Sequence, residues 1–457
     1  MDLLVDLSRP GGGPLRRRLE DEIRGGVRAG RLPPGTALPS SRALAAQLGV
    51  SRGVVVEAYA QLAAEGYLRA RQGAGTVVAA PAPAGSGRAH AAAAPAPAPR
   101  YDFAIGVPDL SAFPRRAWLA AGARGLREVP DTRLGYGDTR GALELREALA
   151  AYLGRARGVV ADADRVLVTG GTRQALGVVW RALGEHGARR IAIEDPGWAP
   201  QLQTALDAGL EAVPVPVDGD GMRVERLGQL DVDAVVLTPA HQFPAGAVLS
   251  PQRRATVLRW ARDHDAIVVE DDYDAEYRYD RDPVGALQGM APERVVYAGS
   301  ASKTLAPAVR LGWLVLPPAL AATVERCQAR AGTGAALLDQ LAFTRFIAGG
   351  ELDRHLRRTR RRYRRRRDAL LSAVESHLTG SEVEGIAAGL HAVVRLPPGC
   401  DERATVLAAR ERGIAIDGLA AFRRTEARGP AGLVLGYANL PEAAIARAIA
   451  ELAHVLR

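Results

Sequence analysis

From Ala79 to Pro99 the chain is almost all alanine and proline, with a few Gly, Ser, Arg and His residues. Such a stretch has no packable apolar face and favours extended, semi-stiff backbone. No hydrophobic core can run through it. Residues 79–100 therefore read as a linker between a small module, 1–78, and a long unit, 101–457, whose last part, about 321–457, is expected to form a smaller subdomain. A total of 457 residues is in any case too long for one ordinary core.

Composition narrows the class. Met1 to Leu7 is followed at once by Arg9 to Pro14, so no charged-then-apolar leader opens the sequence, and no long apolar run follows. The expectation is a cytoplasmic chain with no membrane partner. Cys327 and Cys400 lie far apart without metal-ligand spacing, which fits a reducing compartment and points to no metal site. A formal charge of +9 is compatible with a polyanionic partner.

In the small module Leu15, Leu19, Ile23 and Val27 recur at helical spacing, and LPPGTALP then breaks the helix. Ser40 or Ser41 can cap a second helix through Arg42 to Leu48. Gly49 and Val50 make a tight turn, and Ser51 is placed to cap a third helix carrying Arg52, Val54, Val55, Tyr59 and Leu62. This is helix-turn-helix spacing, with the third helix expected in a DNA major groove. GYLRARQGAGTVV reads as a two-stranded wing whose glycine tip can approach a phosphate backbone. The ordered pieces PSSRALA, LGVSRGVVVEAYAQLAAEGYL and QGAGTVV resemble the winged-helix domain of GntR-family bacterial regulators. That resemblance implies contacts to double-stranded DNA from Arg42 and Arg52. Ser41, Ser51, Gly73, Gly75 and Thr76 would hold the backbone in register.

The long unit alternates apolar runs (Val166–Val168, Ile191–Ile193, Val235–Leu237, Ile267–Val269, Val295–Tyr297, Trp313–Leu316) with helical stretches. A mostly parallel sheet covered by helices has this pattern, and ligands bind beyond its strand ends. Chemistry-bearing residues fall there. Gly171-Thr172-Arg173 opens a helix, where free N–H groups and the dipole favour a phosphate. Trp198 sits on a loop able to stack on a planar ring. Asp271 can hold a pyridine nitrogen protonated, and the Tyr273 phenol can bond a ring hydroxyl. Ser300, Ser302 and Arg310 supply two hydroxyls and a guanidinium for a phosphate.

Between those serines and that arginine stands Lys303. Of 60 basic side chains it is the single lysine, in a chain that otherwise uses arginine throughout. An ε-amine can lose its proton and condense with a carbonyl, whereas a guanidinium cannot. The combination points to pyridoxal 5′-phosphate, PLP, with Lys303 as Schiff-base anchor. From about Tyr101 onward, LGYGDTRGALELREALAAYL, VTGGTRQAL, EDPGW, TPAHQFPAG, VVEDDYDAEYRYD and SASKTLAPAVRLGW resemble, in order, a fold-type I class I aminotransferase. Joined to the winged helix, this resembles the MocR/GabR subfamily of GntR regulators. The resemblance implies an α/β fold with a smaller C-terminal α+β part and a homodimer in which Tyr136 reaches the neighbouring subunit's cofactor phosphate.

Departures shape the functional expectation. Where catalytic aminotransferases carry an asparagine on the cofactor hydroxyl, this chain has Phe243-Pro244-Ala245-Gly246. The arginine that grips a substrate carboxylate aligns with Val434, and the arginine of the GABA-sensing relative aligns with Pro200. Arg423 and Arg424 are either substitute anion contacts or a solvated loop. Ten arginines between Arg354 and Arg367 read as a solvated helix face or a second DNA contact. Two readings stand: a PLP-dependent regulator sensing PLP or an amino compound, and an active aminotransferase with an appended DNA-binding module. Phe243 and Val434 favour the regulator.

Overall fold

The computed structural model describes residues 13–71, 75–79, 98–280, 284–332, 334–425 and 429–456. Contacts divide the chain into two units, 1–96 and 97–457.

In the first unit, α1 (Leu15–Arg28) buries Leu19 and Ile23, while Leu15 is exposed, so the apolar stripe starts one turn later than its spacing suggested. α2 (Ser41–Leu48) is capped by Ser40, whose Oγ accepts from the Ala43 N–H at 3.2 Å. Gly49 then takes a left-handed φ of +65° and closes the helix on the Ala45 carbonyl. α3 (Arg52–Ala64) buries Val55, Ala58, Tyr59 and Leu62, one face at helical period. Ser51 precedes α3, but its side chain makes no capping hydrogen bond. The Tyr59 hydroxyl donates to the Pro39 carbonyl at 3.0 Å and ties α3 to the loop before α2. β1 (Leu68–Arg71) and β2 (Gly75–Val78) form the antiparallel wing, with Ala70 opposite Thr76 and Arg71 opposite Gly75; Gly73 lies outside the described residues.

No atom stands within 4 Å of a Cβ added to Gly49, so its replacement acts through the backbone alone. Gly49→Ala is expected to cost about 1–2 kcal/mol, the penalty of a left-handed alanine. Gly49→Asn should recover part of it, both read from the denaturant midpoint of the full chain.

The second unit is built on an eight-stranded sheet of order β4-β11-β10-β9-β8-β5-β6-β7. Its strands are β4 (Val166–Thr169), β5 (Arg190–Asp195), β6 (Glu211–Asp218), β7 (Gly221–Met222), β8 (Ala234–Leu237), β9 (Ile267–Asp272), β10 (Val295–Ser300) and β11 (Gly312–Val315). β10, β9, β8, β5 and β6 pair in parallel; β11 runs antiparallel to β10 and β4, and β7 to β6. All six apolar runs are strands. β6 escaped notice because Pro214 and Pro216 interrupt its pattern, which is tolerated toward a sheet edge. Side chains alternate between faces: Leu167, Val269 and Val296 pack with Leu176, Val179 and Trp180, whereas Val168 and Tyr297 pack with Leu149 and Phe343 on the other side.

A smaller antiparallel sheet, order β12-β13-β16-β15, comprises β12 (Glu382–Glu384), β13 (His391–Arg395), β15 (Asp417–Gly418) and β16 (Gly432–Gly436). Beside it, β14 (Ile414–Ala415) pairs in parallel with β3 (Tyr101–Asp102), which stitches the first strand of this unit to the C-terminal part. The arginine-rich run belongs to a long helix, Glu351–His377, that is more than a solvated face. His355, Thr359, Tyr363, Arg366 and Leu370 form its buried stripe, and the Arg362 and Arg366 guanidinia reach Asp109 Oδ2 at 2.7 and 2.9 Å. Arg357, Arg358, Arg361 and Arg364 are exposed.

Candidate functional site

The winged module presents Arg42 in the first turn of α2 and Arg52 at the start of α3, both exposed. Ser51 and Gly75 are also exposed, and Ser41 and Thr76 partly so. Gly53, next to Arg52, leaves one exposed position of α3 without a side chain.

In the large unit the C-terminal strand ends converge. β4 leads to Gly171, whose φ of +116° turns the chain into the helix Thr172–Glu185, whose first N–H groups have no partner within the helix. β9 ends in Asp271 and Asp272 and continues to Tyr273; β10 ends in Ser300, and one turn of helix, Ala301–Thr304, presents Lys303. β11 starts with Gly312, where a Cβ would stand 2.8 Å from Gly171 Cα, so only glycine lets these strands meet. Gly171, Thr172, Arg173, Trp198, Asp271, Tyr273, Ser300, Ser302, Lys303 and Arg310 line one cavity of about 560 Å³. Tyr136 does not; it stands fully exposed beside a different hollow.

The cavity's electrostatics follow from burial. Asp271 is 4% exposed; one carboxylate oxygen accepts from Gln201 Nε2 at 2.8 Å and the other has no partner. Burial pushes this carboxyl up to about 7, against the pull of Gln201 and Lys303. Lys303 Nζ donates to the Gly106 carbonyl at 2.7 Å. Desolvation lowers its amine below the usual lysine range, while Asp274 and Asp271 draw it back up. Gly106 itself has a φ of +72°, and a Cβ there would stand 2.8 Å from Nζ. Arg310 adopts a left-handed φ of +52°, rare for a residue with a side chain and a recurrent sign of a constrained site.

Several cavity residues had not been singled out. Gln201 lies one helical turn after Trp198 and reaches the buried Asp271. Phe243, already noted in the sequence, lines the cavity, and so does His391 at the start of β13, which was not. His241, within TPAHQFPAG, is buried and bonds Asp274. Val434 is core in β16 and, like Pro200, does not line the cavity; Arg423 borders another hollow and donates to the Pro430 carbonyl, and the Arg424 N–H bonds Asp195. Among the described residues no helix is long and apolar enough to cross a membrane.

Residues 101–452 match the aminotransferase class I and II family, and residues 15–78 match the bacterial regulatory proteins of the gntR family. The probable rhizopine catabolism regulatory protein MocR of Rhizobium meliloti is 34% identical, over 96% of this chain and 92% of its own. The pyridoxine biosynthesis transcriptional regulator PdxR of Corynebacterium glutamicum is 32% identical, over 95% and 94%. Among solved structures, Pyrococcus horikoshii kynurenine aminotransferase in complex with PMP is 28% identical, with a TM-score of 0.71 over 78% of this chain and 90% of that one. The winged helix followed by a complete aminotransferase-type fold, matched nearly end to end by MocR and PdxR, places this chain in the gntR family of bacterial regulators, in the MocR-type group that carries an aminotransferase class I and II domain.

Proposed function

We propose that this PLP-dependent transcriptional regulator uses the 560 Å³ cavity to sense PLP, or an amino compound through PLP, and passes the result to its winged helix. The observation that carries the reading is the unpartnered Asp271 oxygen in one cavity with the chain's single lysine. An orphaned buried acceptor is costly, and a protonated pyridine nitrogen satisfies it. The remaining residues fit the same group. Trp198 offers a face for the ring. The N–H groups of Gly171, Thr172 and Arg173, with Ser300, Ser302 and Arg310, form an anion site for the phosphate. When bound, PLP supplies an aldehyde that links reversibly to amines. Lys303 is the covalent anchor, kept nucleophilic by its depressed amine.

The protein acts in the cytoplasm as a homodimer on double-stranded DNA. Arg42 and Arg52 contact the duplex, with Ser41, Ser51, Gly73, Gly75 and Thr76 supporting them, and Tyr136 reaches the partner's cofactor site. Cofactor or effector shifts DNA affinity only by binding two conformations unequally. PdxR, named for pyridoxine biosynthesis, supports PLP as signal; MocR, named for rhizopine catabolism, supports a small metabolite.

The test is binding of the full chain to DNA upstream of its own gene, in PLP-free form, PLP-loaded form, and loaded form with candidate amines. A change of about tenfold or more with PLP alone assigns a PLP sensor. A change appearing only with an amine assigns an amino-compound sensor. Identical affinities in all forms, with sustained transamination, would return the enzyme reading.

A further inference from the structure

Beside the cavity lies a buried network that the reading above does not use. His241 and Asp274 are 3% and 1% exposed. His241 Nδ1 stands 3.1 and 3.0 Å from the two Asp274 carboxylate oxygens, and 3.1 Å from the Tyr273 hydroxyl. A Cβ on Gly389, which has a φ of +73°, would collide with both His241 and Asp274, so the backbone makes room for this contact. His391, whose ring centroid is 5.2 Å from that of His241, is pushed down to about 4 by burial, and its Nε2 bonds the Pro244 carbonyl at 3.1 Å.

The proton inventory is restrictive. A carboxylate only accepts, so the His241–Asp274 contact fixes the histidine proton on Nδ1. A nitrogen carrying its proton has no lone pair for a second donor. The Tyr273 hydroxyl can then meet Nδ1 only as an acceptor, and its own proton must point elsewhere. Tyr273 lines the cavity, and its neighbour Phe243, set edge-on at 6.1 Å, offers no acceptor. Burial above all, and then the neighbouring Asp274, Asp271, Glu194 and Tyr437, push the phenol well above its usual range and hold it protonated.

We infer that His241 and Asp274 form a positioning pair that turns the Tyr273 O–H into the cavity, where it donates to the ring oxygen of PLP. The inference rests on the cavity holding PLP. His241, Asp274 and His391 also bring one ligand atom each within 4.8 Å of one another, a spacing that a metal ion could bridge. One nitrogen of each ring is engaged within the protein: Nδ1 of His241 on Asp274, and Nε2 of His391 on the Pro244 carbonyl.

The test is a pH titration of the visible absorbance of PLP bound to the full chain. Losing a donor to the ring oxygen leaves its charge less stabilised, so the proton beside it is held to higher pH. Tyr273→Phe should raise the midpoint by about one pH unit or more, the effect of one hydrogen bond to a charged group. His241→Leu should raise it in the same direction, and Tyr273→Phe/His241→Leu no further than Tyr273→Phe alone. His241→Asn, which keeps a donor near Nδ1, should stay close to wild type, and His241→Phe, which keeps a ring but no donor, replaces His241→Leu where that variant fails to fold. Wild-type titration in His241→Leu, an additive double variant, or a stoichiometric metal lost with His241 would overturn the positioning role. A wild-type chain that binds no PLP would instead fail the cavity reading itself, a distinguishable result.

Discussion

Lys303→Ala abolishes capture of PLP by borohydride reduction, while far-ultraviolet circular dichroism and DNA binding of the PLP-free protein stay at wild-type levels. The expectation is an all-or-none loss, because no second lysine exists in the chain to replace the amine and 59 arginines cannot. The fold is spared because Nζ spends its one observed hydrogen bond on the Gly106 carbonyl at the cavity wall. Lys303→Arg should be equally blind to the aldehyde, which separates loss of nucleophile from loss of charge. Reducible adduct at wild-type stoichiometry in either variant, read by intact-protein mass spectrometry, would remove Lys303 from its role.

Arg157→Met is the change with the largest expected effect on stability. Arg157 is 1% exposed, and its Nε donates to Asp272 Oδ2 at 2.7 Å, while its Nη1 donates to the Val284 carbonyl. The same Asp272 oxygen accepts from the Tyr297 hydroxyl at 2.8 Å. Glu270 and Glu276, both pushed up to about 7 by burial and by Asp272, crowd the same region. Taking away the guanidinium leaves a buried carboxylate with a single phenol donor. Breaking a buried pair from one side costs about 3–5 kcal/mol, so a proportionate fall in the urea midpoint is expected. PLP affinity should fall with it, since Asp271 precedes Asp272 on β9. A midpoint within about 0.5 kcal/mol of wild type would show that the pair contributes nothing net.

Legibility in the sequence differed with the kind of signal. The strand runs of the central sheet were readable because a strand buried on both faces must be continuously apolar. The cavity residues were readable because ligands collect at strand ends, so polar residues just after an apolar run share one place. β6 was hidden by its prolines, and the layout of the arginine helix by its composition. Arg362 and Arg366 look like their exposed neighbours until Asp109, more than 250 positions away, is seen to hold them. Gln201 and the His241–Asp274 pair were likewise invisible, since hydrogen bonds across such separations leave no periodic trace. Ser51 shows the converse: a residue suited to capping whose hydroxyl does not cap.

The bond between Lys303 and Gly106 carries a consequence for signalling. Gly106 lies five positions past Tyr101, where β3 begins, and upstream of β3 the chain returns to the alanine–proline spacer. Valence makes the two partners of that nitrogen rivals. A nitrogen joined to an aldehyde carbon would keep at most one of the three donors of a protonated amine, so its hold on the Gly106 carbonyl would weaken. With PLP bound, the Gly106 carbonyl and the cofactor's ring oxygen would compete for the one proton that nitrogen can keep, which would tie occupancy of the anchor to the segment between β3 and the cavity wall.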